Sequence, residues 1–178
     1  MSSSETERLL LRPPHPSDVD QLAVIFAKPE VFWFSFKRGL DRRETEEWVD
    51  RHRMNWRERG LGRWLAIVKE TGAIIGYRGL SVPVFLPEIM PAVELGYRLD
   101  PAYWHHGYAT EGAREALRFG FEERALDRIY GIYEPENVAS GRVMERLGMT
   151  FDRDTVVPEG EITVRVMAIT QPDWVAPR

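Results

Sequence analysis

The stretch Trp104-His105-His106-Gly107-Tyr108-Ala109-Thr110-Glu111 constrains this chain more than any other. It follows an apolar, strand-like run, Val93 to Leu99, and a turn signal at Asp100-Pro101. A periodic segment continues from it, with Ala109, Ala113, Ala116, Leu117, Gly120 and Phe121 on one stripe. A strand that turns tightly into a helix builds an anion site. The first helical turn has N–H groups without intrahelical partners, and the macrodipole adds partial positive charge there. Gly107 permits a positive φ or a close backbone approach, and Ala109 keeps the next position nearly bare. The segment predicts a phosphate or pyrophosphate site without a Walker-type lysine. Neither G-x-x-x-x-G-K-[ST] nor G-x-G-x-x-G occurs in the chain, which excludes the common nucleotide-binding loops.

The length of 178 residues suits one domain, residues 1–178, with 1–6 and 171–178 expected to be flexible. A net charge of -4 argues against nucleic acid as a partner. Cysteine is absent, so there is no thiol nucleophile and no thiolate metal site. His15, His52, His105 and His106 lack the i, i+4 spacing of a zinc helix, and no metal is expected. No run approaches the roughly 18 apolar residues of a membrane span. The N-terminus is polar and acidic, unlike a signal peptide, so a cytoplasmic protein is expected.

Around the anion loop the elements follow from periodicity and punctuation. Arg8–Arg12 reads as a strand stopped by Pro13-Pro14. Ser17 or Asp18 caps a helix carrying Val19, Leu22, Ala23 and Phe26, ended by Pro29. Asp41-Arg-Arg-Glu44 resembles a capping box, opening a helix with Thr45, Trp48, Val49, His52 and Trp56 at helical spacing. Arg63–Lys69 and Ala73–Val82 read as a hairpin. In the next strand, 92–99, Val93, Leu95, Tyr97 and Leu99 share one face, and Glu94, Gly96 and Arg98 the other. A strand at 128–133, a helix at 137–147 and a closing hairpin around Glu159-Gly160 complete the chain. The order predicts an α/β (α+β) fold: a mixed, mostly antiparallel twisted sheet of about seven strands, about four helices on both faces, and a right-handed parallel βαβ unit at the centre.

These residues in this order resemble the GNAT superfamily of acetyl-CoA-dependent N-acetyltransferases, in particular its RimJ/RimL branch. Four pieces carry the resemblance: Arg8-Leu-Leu-Leu-Arg12-Pro, Glu94 through Trp104, the loop Trp104–Glu111, and Glu136-Asn137-Val-Ala-Ser140 through Gly148-Met. The loop fits the family pattern Q/R-x-x-G-x-G/A with Trp104 in place of Gln or Arg and Ala109 in the last position. The match spans roughly residues 7 to 170. It implies acetyl-CoA as cosubstrate and transfer to a primary amine, most plausibly a protein N-terminal α-amine of ribosomal-protein type. Two alternatives stay open: a small-molecule amine such as an antibiotic or polyamine, and a non-enzymatic acyl-CoA sensor. A homodimer is a further possibility, since exposed aromatics and terminal hairpins often pair in this family.

Direct transfer to an amine needs phosphate anchoring, deprotonation of the amine, and stabilisation or protonation of the departing sulfur. The resemblance assigns cofactor contacts to Leu99, His105, His106, Gly107, Tyr108, Ala109, Thr110, Asn137 and Ser140. Ser140 is the candidate acid, with Tyr130 and Tyr133 behind it, although Asn137 and Ser140 also suit plain helix capping. Glu94 and Glu159 are candidate bases, each suitable if burial favoured its neutral form. Water relayed to a backbone carbonyl is a third route. The acceptor pocket is expected to draw on Phe32, Trp33, Phe34, Trp64 and Tyr77, with Trp56 nearby. Glu111 is expected to play a structural part in the loop.

Overall fold

A computed structural model describes residues 2–174. Eight strands form one sheet in the order β1-β2-β3-β4-β5-β6-β8-β7. They are β1 (Ser4–Glu5), β2 (Leu9–Arg12), β3 (Arg63–Val68), β4 (Ile74–Ser81), β5 (Glu94–Leu99), β6 (Arg128–Tyr133), β7 (Thr150–Val157) and β8 (Ile162–Thr170). Five α-helices accompany them: α1 (Val19–Phe26), α2 (Pro29–Phe36), α3 (Arg42–Arg59), α4 (Tyr108–Arg118) and α5 (Val138–Arg146). All pairings are antiparallel except β5 with β6, the two strands joined through α4. This is the expected mixed α/β architecture, with one strand and one helix more than anticipated.

The extra strand is β1. Residues expected to be loose instead pair, Ser4 with Leu11 and Glu5 with Leu10. Ser2 is held too, its carbonyl accepting a hydrogen bond from Trp64 Nε1 at 2.8 Å. At the other end Gln171 N donates to Asp127 O at 2.9 Å, and the Trp174 ring lies 5.8 Å from that of Phe121. Residues 175–178, also expected to be flexible, lie outside the described residues.

The extra helix is α2. Pro29 does not end a helix but starts one, at the position where its missing N–H costs nothing. The helix is broken inside. Phe32, Phe34 and Ser35 leave helical geometry, Ser35 with φ 144°, and Lys37 closes it in the left-handed region. By contrast, α3 starts as its sequence dictates: Asp41 Oδ1 accepts from Glu44 N and Glu44 Oε2 from Asp41 N, both at 2.8 Å.

The sheet separates two cores. On one face α4 and α5 bury Ala113, Ala116, Leu117, Met144 and Leu147 over Leu9, Trp64, Leu80 and Leu95. On the other, α1, α2 and α3 bury Leu22, Phe26, Phe32 and Trp48 over Leu65, Ile67 and Tyr77. Such burial, worth about 1.5–3 kcal/mol for each large apolar side chain, fixes both helix layers on the sheet.

Candidate active site

The parallel pairing of β5 and β6 is short. It joins Glu94 to Tyr130 and Leu95 to Gly131 and then stops, although β5 runs on to Leu99 and β6 to Tyr133. The C-terminal halves of the two strands therefore carry no ladder between them, and the sheet opens there. Side chains alternate along β5, so Tyr97 faces the α4–α5 side while Arg98 faces the α2 side.

At one end of this opening stands the predicted anion loop. Gly107 is the N-cap of α4 with φ 81°, a left-handed conformation that suits glycine. No side chain caps the helix, so the N–H groups of its first turn are left for another partner. An added Cβ on Gly107 would meet only Arg8 Nη2, at 3.4 Å. His105 adopts φ 63°, and His106 Nδ1 donates to Trp104 O at 2.6 Å. Neither ring is buried. Trp104, the departure from the usual Gln or Arg, folds its indole back so that Nε1 donates to Leu99 O at 2.9 Å. Leu99 itself is core, 6% exposed, and its carbonyl accepts that bond.

Arg8 closes the other wall of the loop. Its guanidinium donates to His106 O at 3.0 Å, pairs with Glu111 at 2.6 Å and lies 4.5 Å from the Tyr108 ring centroid. Glu111 also accepts from Thr6 Oγ1 at 2.5 Å and from Arg8 N at 2.9 Å. These partners hold its carboxyl below the usual range against the opposing effect of burial. The structural part expected for Glu111 is thus visible: it ties the first strand pair to the loop. An open groove of about 810 Å³ runs along α4, lined by Gly107 and Thr110 and by both signs of charge: Arg8 and Arg118 are paired with Glu111 and Glu115, and Arg114 stands beside them. Open N–H groups and a bare glycine suit a pyrophosphate.

Beneath α4 lies a fully buried arginine. Among the described residues Arg78 has no hydrogen-bond partner for any guanidinium nitrogen, and burial pushes its pKa down to about 9. It fits only because residue 112 is glycine. A Cβ there would sit 2.0 Å from Arg78 Nη1.

On the β6 side of the opening, at the same end of the strands, α5 begins. Asn137 caps it, Oδ1 accepting from Ser140 N at 3.2 Å, so the capping reading holds. Tyr97 Oη lies 3.0 Å from both the Ser140 carbonyl oxygen and Ser140 Oγ. The phenol donates to the carbonyl and can accept from the Ser140 hydroxyl. Burial pushes its pKa up, keeping it protonated. Sequence reasoning placed Tyr97 on the correct face but gave it no role. Its signal was a tyrosine among leucines on an inward strand face. Tyr133 lies on the same side, packed against Gly141. Tyr130 points to the opposite face, among Leu86 and Val166, and does not meet Ser140.

The carboxylates differ from expectation. Glu94 is buried and bonded to Arg63 and, at 3.1 Å, to Ser81 Oγ. It could act as a base only by giving up the guanidinium. Glu159 sits exposed in the β7–β8 turn. That turn lies beyond the last β6 pair, Tyr133 with Arg165, so it overhangs the end of β6 without bonding to it.

The acceptor residues separate as well. Phe32 and Tyr77 are buried together, 6.4 Å between ring centroids, as a floor beneath Phe34 and exposed Trp33. Trp64 is on the wrong face. It is 1% exposed and stacks on Trp56 at 5.3 Å in the α4–α5 core, and neither tryptophan lines the acceptor side. The organiser that sequence reasoning missed is Arg98. It donates to Tyr77 Oη at 3.0 Å, to Val31 O and Phe34 O at 2.8 Å and to Ser35 Oγ at 2.7 Å. Its guanidinium also lies 4.8 Å from the Phe32 ring centroid. One strand residue therefore holds the broken helix α2 against the opening.

Comparison with known proteins agrees with this geometry. The GNAT acetyltransferase domain matches residues 8–150. YkkB of Bacillus subtilis is 35% identical over 150 residues, covering 83% of this chain and 85% of YkkB. The [ribosomal protein uS5]-alanine N-acetyltransferase of Escherichia coli is 26% identical, covering 95% of this chain and 91% of that enzyme. An acetyltransferase structure from Agrobacterium tumefaciens superposes with a TM-score of 0.80 at 28% identity, over 95% of this chain and 94% of that one. With the loop, the parted strands and the fold in agreement, the chain belongs to the GNAT family of acetyltransferases, enzymes that use acetyl-CoA.

Proposed function

We propose that this single domain transfers acetyl from acetyl-CoA to the α-amine of a protein N-terminus. The observation that carries the transfer reading is the parted sheet: β5 and β6 separate between an uncapped helix N-terminus and the Ser140 hydroxyl. The N-terminal acceptor is supported by the likeness to the uS5-alanine enzyme across 95% of the chain.

Bound acetyl-CoA supplies an activated thioester. The chain's own residues supply the rest. The N–H groups of Tyr108, Ala109 and Thr110, with Arg8 beside them, hold the diphosphate. Gly107 lets it approach. Asn137 and Ser140 line the opening where the pantetheine arm passes. Ser140 Oγ, hydrogen-bonded to Tyr97 Oη, holds a proton for the sulfur. Tyr97 stays protonated behind it, donating to the Ser140 carbonyl and so fixing the first turn of α5. On the acceptor side Arg98 fixes α2, and Trp33 and Phe34 form the wall that the amine passes. Glu94 and Glu159 are committed or solvated as they stand. Loss of the amine proton to water is therefore the favoured route.

The test is calorimetric titration with acetyl-CoA, followed by thiol release with short peptides and with small amines. Tight binding with release on peptides having a free N-terminus supports the proposal. Release only with small amines would move the acceptor to that class. Binding without release on any amine would leave a sensor.

A further inference from the structure

A charged pair that the steps above do not use joins the end of α2, the helix Arg98 holds, to the residue after β6. Glu134 follows the last residue of β6, where its carbonyl accepts from Asn137 N at 2.8 Å and so starts the turn into α5. Its carboxylate is almost buried, with 9% of the side chain exposed. A carboxylate so placed must be paired. Its partner is Lys37, whose Nζ lies 2.7 Å from Glu134 Oε2. The two residues are 97 positions apart in sequence.

Lys37 is an unusual choice of permanent partner. It closes α2 in a left-handed conformation at φ 57°, two residues after Ser35 at φ 144°. Its side chain is 51% exposed, and no second carboxylate pairs with it among the described residues. Its ammonium lies 5.1 Å from the Phe34 ring centroid and 5.9 Å from that of Trp33. Aromatic faces and a carboxylate are what a desolvating primary ammonium requires. A primary ammonium already occupies this place, at the tip of a flexible side chain, on the wall where an acceptor must enter.

We propose that Glu134 is the seat for the ammonium group of the acceptor, that Trp33 and Phe34 form its aromatic wall, and that Lys37 fills the seat until an acceptor displaces it. The identity of the occupant rests on the amine-acetylation reading above. The seat itself is a binding site and can be tested without turnover. The arrangement makes acceptor affinity depend on how often Lys37 vacates the seat, so removing the lysine strengthens binding. It also makes acceptors carrying a protonated aliphatic amine the favoured class over uncharged ones.

The experiment is calorimetric titration with n-hexylamine, with n-hexanol as its uncharged isostere, on the chain with and without bound CoA. Lys37→Met should bind hexylamine at least fivefold more tightly than the parent, and Glu134→Gln at least tenfold more weakly. Hexanol affinity should stay within twofold in all three. Equal hexylamine affinity in parent and Lys37→Met, or an equal gain for hexanol, would overturn the seat. The Lys37→Met comparison decides the matter alone if Glu134→Gln does not fold. Failure to bind CoA, or to turn over any amine, would count against acetyl transfer, while the hexylamine titration would still decide the seat.

Discussion

On the α4 side of the β5–β6 opening the groups left open to a ligand are main-chain N–H groups that no side chain caps. On the α2 side they are side chains bonded to one another: Arg98 with Tyr77 and Ser35, and Lys37 with Glu134. The two sides share one sheet yet are made of different materials. A backbone site depends on conformation, so it needs only a residue that tolerates φ 81° at position 107 and small neighbours. Many sequences satisfy that. A site made of paired side chains depends on identity at each position, and changing one partner strands the other. The cofactor side should therefore resist most substitutions and fail abruptly at a few. The acceptor side should change by degrees.

The strongest way to break this contrast is Gly107→Trp. The new side chain occupies the approach to the first turn, and acetyl-CoA affinity should fall about 100-fold or more, roughly 2.7 kcal/mol. Calorimetry with unchanged affinity would remove the loop from the cofactor site. Ser140→Ala comes next. It should lower kcat by roughly tenfold to a hundredfold while acetyl-CoA affinity stays within about twofold. Full activity in steady-state kinetics would leave Tyr97 or solvent as the proton source.

Gly112→Ala tests the floor of the cofactor side. Its Cβ would strike the Arg78 guanidinium, which has no free space to enter, so stability should drop by about 2 kcal/mol. In an Arg78→Ala background the same change should cost much less, because the atoms it strikes, from Cδ outward, are gone. Denaturant unfolding of the single and double variants reads both effects, and independent, additive losses would refute the shared-volume account.

Arg98→Lys sharpens the acceptor side. It keeps the charge but loses the fork that reaches Val31, Phe34 and Ser35 together. KM for the acceptor should rise about tenfold with KM for acetyl-CoA unchanged, because only α2 is released. A matching rise in both constants would show that the two sides are mechanically one.

The smallest effect is a pH dependence in the α1–α3 layer. His52 is buried against Trp48, 4.4 Å between ring centroids, with Nδ1 unbonded. Burial, and then the charge of Arg63, hold its pKa well below the ordinary 6.5. The folded chain keeps His52 neutral where the unfolded chain protonates it. Its contribution is therefore complete above about pH 6.5 and is lost as pH falls below that, by at most about 1.4 kcal/mol per pH unit. His52→Phe should flatten the fall in stability between pH 6.5 and 5. An unchanged slope in urea unfolding would assign that fall to the carboxylates.

Much of the fold was legible because its signals are short-range. The capping box at Asp41, the turn at Glu159-Gly160 and the Gly107 loop each depend on residues within a few positions of one another. The faces of β5 were readable too, since polar and apolar residues alternate along it. The faces of β3 and β4 were not. Every residue in both strands is buried, so no alternation marks which side chain meets which layer. A shift of one position exchanges the faces, which is why Trp64 was assigned to the acceptor pocket although it packs under α4. The break inside α2 escaped as well. It depends on Arg98, more than 60 positions away, which holds carbonyls that the helix would otherwise have used itself.

The sequence by itself determined the strand–turn–helix at Gly107, the order of all elements but β1 and α2 and, through them, the family. These rest on turn chemistry, caps and periodicity, which are written in neighbouring residues. Tertiary structure alone decided which carboxylates are buried and paired. Glu94 meets Arg63 from 31 positions away, and Glu134 meets Lys37 from 97. The physical reason is that a charge's chemistry is set by what surrounds it. In a folded sheet those surroundings come from strands that register, not sequence proximity, brings together.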